Sequence, residues 1–181
     1  MSNSPKKFYV QYRMLYKVHV PTDPAVRVVN SFYWMDNYNV PGHAAIGETH
    51  RRNKFVHMPR DAVVVSLNGH LHQGGEKLVL RVKETGEEIC VSRNVYNASV
   101  PCYWDCPDIC PYQPHGWTAQ WGTTTCYMER AITKATELES YAIYDNSCAW
   151  RGVMAWWFGW MWTGQQMGDT AAAARIAAAA A

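Results

Sequence analysis

The chain has 181 residues, of which 48% are hydrophobic, with nine Trp and eleven Tyr, enough for one domain with a packed core. A formal charge of +2 leaves no electrostatic footprint for nucleic acid. The basic pairs Lys6-Lys7 and Arg51-Arg52 are short and read as solvated.

In chain order, residues 8–20 and 26–34 carry the β-branched and aromatic bias of strands. Asp36-Asn37-Tyr38-Asn39 and Pro41-Gly42 read as punctuation. Residues 43–57 fit one long strand or two short ones, and Pro59-Arg60-Asp61 a turn. Residues 62–67 form a strong strand. Gly74-Gly75 turns the chain into 77–82, which alternates polar and apolar as a half-buried strand does. A hairpin turn at 84–87 leads into 89–92. Residues 97–122 read as a long loop with Cys102, Cys106, Cys110 and prolines 101, 107 and 111. Further strands are expected near 137–144 and 152–162. The apolar stretch 152–162 has only eleven residues, short of the about 20 that a membrane-spanning helix needs. The expected fold is all-β: an antiparallel β-sandwich of jelly-roll type, with about eight strands and one long cysteine-rich loop. Residues 1–165 make a single domain. Residues 166–181 are an alanine-rich tail, either a short helix or placeholder sequence.

Six cysteines (Cys90, Cys102, Cys106, Cys110, Cys126 and Cys148) suit a disulfide framework in an oxidising compartment, with 15 pairings open. A zinc knuckle with His115 is the competing interpretation, but Cys102, Cys106 and Cys110 lie four residues apart, wider than CxxC. Asn97-Ala98-Ser99 is a glycosylation sequon. Together these features point to a secreted glycoprotein. MSNSPKKFYV holds no apolar leader, so a signal peptide is expected to have been removed or to lie outside this numbering.

The sharpest chemical signal is Asn68-Gly69-His70-Leu71-His72-Gln73-Gly74-Gly75. In a strand, residues i and i+2 share a face, so His70 and His72 can aim two imidazoles at one metal ion. The plainer alternative is a surface pair of histidines at a strand end. His43 and His50 precede this strand and could approach the pair. There is no nucleophile elbow, P-loop, dinucleotide fingerprint or convincing carboxylate pair.

The run from Asp61 to Ser92, DAVVVSLNGHLHQGGEKLVLRVKETGEEICVS, resembles the stress-up-regulated nodulin family of plants, fungi and protists. Gln73 stands where that family has Asp. The YNVPGH ending at His43 and LESYAIYD at 138–145 resemble it too. The family is in turn similar to the C-terminal domain of copper type II, ascorbate-dependent monooxygenases. The resemblance implies a jelly-roll sandwich whose copper is held by His70, His72 and Met154, a soft thioether suited to Cu(I). Ordinary packing is the competing role for Met154. The resemblance also implies a Cys90–Cys126 disulfide, and leaves Cys148 to pair with Cys102, Cys106 or Cys110. Gln73 is expected to weaken a hydrogen bond that orients a ligating His. Those enzymes carry a further domain with an electron-donating copper, for which this chain has no room. The expected role is therefore a structural or interaction component of an extracellular assembly with other protein subunits, carrying a copper site. A monooxygenase-like redox domain and a carbohydrate-binding module, using exposed Trp residues, are the alternatives.

Overall fold

The computed structural model describes residues 30–42, 44, 45, 47–101, 118–163 and 178. The strands expected before residue 30 lie outside this set, as do Cys102, Cys106, Cys110, His19, His43 and His115. Of the tail, only Ala178 is described, and it is helical.

Nine strands are present among the described residues: β1 (Asn30–Val40), β2 (Thr49–Val56), β3 (Ala62–Leu71), β4 (Gly75–Val82), β5 (Glu88–Pro101), β6 (Thr118–Thr123), β7 (Thr125–Ile132), β8 (Leu138–Asp145) and β9 (Trp150–Thr163). They form two antiparallel sheets, β1-β9-β3-β7 and β2-β8-β4-β5-β6. The pairs β1·β9, β2·β8, β3·β7 and β4·β5 are the rungs of one long hairpin wound up so that successive rungs alternate between sheets. That is the jelly-roll path. β6 is an extra strand laid on the outer side of β5.

Alternation along β9 builds half of the core. Val153, Ala155, Trp157 and Met161 are buried, whereas Phe158 and Trp160 point out. Gly159 lies on the buried side because Phe32 occupies its side-chain space: a Cβ there would sit 2.5 Å from Phe32 Cζ. Facing β9 across the core is β8, where Leu138, Ser140, Ala142 and Tyr144 point inward. Buried polar atoms among these pair across the core: Trp157 Nε1 donates to Ser140 Oγ at 2.9 Å.

Three expectations need correction. Asp36-Asn37-Tyr38-Asn39 do not break the chain; they run inside β1, with Asn37 opposite Met154 and Tyr38 opposite Val153. Pairing with β9 overrides local turn preference, and Asn39 spends its side chain on the neighbouring strand, accepting from Gly152 N–H at 2.8 Å. The loop expected over 97–122 is shorter, because β5 extends to Pro101 and pairs with β6 from Thr118. β7 was not anticipated. Its sequence TCYMERAI gives a weak pattern, and it is held by β3 and by a disulfide.

That disulfide joins Cys90 and Cys126, with Cα atoms 5.9 Å apart, and so staples β5 of one sheet to β7 of the other. Cys148 is also disulfide-bonded, to a partner outside the described residues. Asn97, expected in a loop, is in β5, and its Oδ1 accepts from Ser99 N–H at 2.9 Å.

Cys90 and Cys126 are 36 residues apart in sequence. Replacing both with Ala should lower unfolding free energy by about 2–4 kcal/mol in urea titrations. Gly159→Ala should cost about 1–3 kcal/mol in the same assay, because the added methyl has to displace the Phe32 ring.

Candidate metal centre and contact face

Strand β3 ends at Leu71, whose side chain is buried, so His70 points out of the sandwich. The His70 and His72 ring centres are 5.2 Å apart and perpendicular. Two imidazoles holding one metal about 2.0–2.1 Å from each ring nitrogen, at a near-tetrahedral angle, have their centres roughly 5 Å apart. The pair therefore has the spacing of a chelate.

β3 pairs with β9 in the register His70↔Trp156 and Leu71↔Ala155. The ladder ends there, one residue short of His72 and Met154, whose backbones are bridged by the Tyr144 hydroxyl. The described residues contain no cluster of three His, Cys, Asp or Glu, and His50 lies against Tyr38 rather than with the histidine pair. Met154, on the neighbouring strand β9, is the third ligand that the family resemblance implies. Two borderline nitrogens and one soft sulfur fit copper better than a hard cation. Partial burial, with a smaller contribution from His72, lowers the His70 pKa from its ordinary value, a shift that favours the neutral imidazole that ligation requires.

The turn beneath the pair is held by its own hydrogen bonds. Gly75 N–H donates to the His72 carbonyl at 3.1 Å, and Asn94 Nδ2 donates to the same carbonyl at 3.1 Å. Asn94 also donates to the Gly75 carbonyl, which Tyr96 OH reaches at 2.7 Å. Gly74 adopts φ +84°, and the Trp150 ring lies where a Cβ would be, its nearest atom 2.3 Å away. Both facts call for glycine. Gln73 is buried and accepts from Gln120 N–H at 3.0 Å, tying the turn to β6. Backbone packing thus accounts for the Gln-Gly-Gly half of the motif.

Several contributors gave no sequence signal. Tyr144, Asn94 and Gln120 act from distant strands, and their spacing from His72 in sequence carries no period. Trp156 is edge-on to the His70 ring at 5.9 Å and to Tyr33 at 6.2 Å. Its Nε1 is buried without a hydrogen-bond partner.

The histidines sit at one end of a broader face. Tyr33 and Met35 of β1, Phe158 and Trp160 of β9 and Tyr127 of β7 are all exposed, from 39% for Phe158 to 84% for Tyr127. Between Met154 and Trp162 the outward residues of β9, and those paired to them on β1 and β3, include no Asp, Glu, Lys or Arg. The opposite sheet differs. There Glu139 is buried under Arg51 and Arg81, at 3.2 and 2.5 Å, with Asn53 also donating to it. A groove of 1330 Å³ opens at the other end of the sandwich, lined by residues that include Val63, Val82, Ile89 and Ile132, with no histidine or cysteine in its lining. His70 lies on the exposed side of β3, away from this groove.

Comparison with protein-family models, with characterised proteins and with solved structures gave no match. The described residues include no helix long and apolar enough to cross a membrane.

A depressed His70 pKa means the unfolded chain binds its proton more readily than the folded one. Stability from this group is present above pH 6.5 and is lost as pH falls through the lower folded value. In an NMR titration, His70 should have its midpoint below 6.5, and His72→Asn should move that midpoint partway back up.

Proposed function

We propose that this chain is a secreted β-sandwich building block of an extracellular assembly. It joins its protein partners through the outward face of β1, β9 and β3 and carries a copper-binding pair, His70 and His72, at one end of that face. The observation that carries this reading is the face itself, which between Met154 and Trp162 carries no charged residue and is rich in exposed Tyr, Met, Phe and Trp. Interface cores have this composition, depleted of charge and enriched in aromatics and Met. An exposed apolar patch of this kind is rare on a protein that stays alone. The Cys90–Cys126 disulfide supports an oxidising compartment, and Asn97 is the residue that would carry a glycan.

The perpendicular ring pairs Phe158–Trp160 and Tyr33–Trp156 make the face ridged. A ridged face suits interdigitation with protein side chains better than stacking of flat sugar rings. Carbohydrate binding is the weaker reading for that reason.

At the metal end, His70 and His72 would supply two neutral nitrogens and Met154 a thioether. Copper held there would provide one-electron chemistry. The protein's part is to keep His70 deprotonated and to fix the His72 backbone through Asn94 and the turn.

Two measurements test this. Metal analysis of natively purified protein should find near-stoichiometric copper, lost in a His70→Ala/His72→Ala double variant that keeps its fold. No bound copper after copper has been offered would remove the metal half of the proposal. In sedimentation experiments the protein should self-associate, and Tyr33→Ser/Phe158→Ser should shift it toward monomer. An unchanged distribution would remove this face as the contact surface.

A further inference from the structure

Tyr144 is fully buried on β8, in the sheet opposite the histidines. Its hydroxyl nevertheless reaches both strands that carry the candidate copper ligands. It accepts a hydrogen bond from His72 N–H at 2.9 Å and donates to the Met154 carbonyl at 2.8 Å. β3 and β9 pair along their length, but the β-ladder ends at Leu71↔Ala155, one residue short of His72 and Met154. The strands would be free to splay there. The tyrosine hydroxyl takes over where the ladder stops.

We infer that Tyr144 is the positioning residue of the copper site, setting the separation of His72 and Met154 through their backbones. This inference rests on the copper reading proposed above. One hydroxyl serves as acceptor to one ligand residue and donor to the other, so its removal loosens both together. The ring is held independently of the hydroxyl, edge-on to Tyr38 at 5.8 Å, so Phe can fill the same space. The other side of His72 is fixed separately, since Asn94 and Gly75 N–H both donate to its carbonyl. Without Tyr144 OH, His72 stays on its turn while Met154 is no longer tied to it. Outer contacts that orient ligands typically contribute 10–100-fold to metal affinity.

The test is copper affinity and spectrum, in Tyr144→Phe and in Ser140→Ala. Ser140→Ala is the control, because it also deletes a cross-core hydrogen bond from β8 to β9, that to Trp157 Nε1, without touching His72 or Met154. Cu(I) affinity by chelator competition should fall about 10–100-fold in Tyr144→Phe and stay within about 3-fold in Ser140→Ala. The Cu(II) electron paramagnetic resonance parameters should change in the first variant only. If wild type and Tyr144→Phe bind copper alike, the positioning role is overturned and the copper reading stands. If both variants weaken equally, the effect is general loosening and the positioning role is again overturned. If wild type binds no copper, the copper reading and this inference fall together.

Discussion

The two sheets are tied by hydrogen bonds that cross an apolar core, and the outward face depends on them. β8 contributes Ser140 and Tyr144, and β9 receives them at Trp157 and Met154. Neither bond can form if β9 slips by one residue, because a slip turns every side chain to the other face. Such a slip would also leave buried polar groups unpaired, at a cost of about 1–3 kcal/mol each. The core therefore locks the register of β9 by polar means as well as by shape. With that register locked, Trp156, Phe158 and Trp160 have nowhere to go but outward.

The same constraint explains why the two faces of the molecule differ. On the five-stranded sheet, Glu139 is covered by Arg51 and Arg81, and Arg51 also stacks over Tyr141 at 3.8 Å. Long side chains cover part of the apolar surface there, while Phe55 and Trp121 remain exposed. On the four-stranded sheet Tyr33, Tyr127, Phe158 and Trp160 are exposed, and among the described residues no arginine pair covers them. The apolar face of the four-stranded sheet, with two imidazoles at its end, is the surface proposed above to take a partner.

Much of the fold was legible in the sequence. The all-β class, the strand leading to His70, the hairpin at 84–87 and the strands at β8 and β9 follow from alternation and turn residues. The errors have a shared cause. β1 runs through Asp36-Asn37-Tyr38-Asn39 because its partner β9 lies more than a hundred residues away, and local propensity cannot see that partner. β6 and β7 were hidden for the same reason. At the site, the spacing of His70 and His72 was readable from period two alone. The roles of Tyr144, Asn94 and Gln120 were not, because they are set by where distant strands come to rest. Gln73 shows the limit most clearly. Standing where the resembled family has Asp, it is expected to weaken a hydrogen bond to a ligating His, and its side-chain oxygen accepts instead from Gln120 of β6.

The wound-hairpin path also sets an order of events in time. β4 and β5 are joined by a tight turn and can meet early, whereas β1 must wait for β9. Pairings so distant in sequence close late and slowly. His70 and His72 leave the ribosome some eighty residues ahead of Met154. For that interval the chain exposes two imidazoles with neither the thioether nor the Tyr144 clamp. If the proposed site binds copper, its full donor set would exist only after the last strand has joined the sandwich, and folding would then also set when metal can be captured in its final geometry.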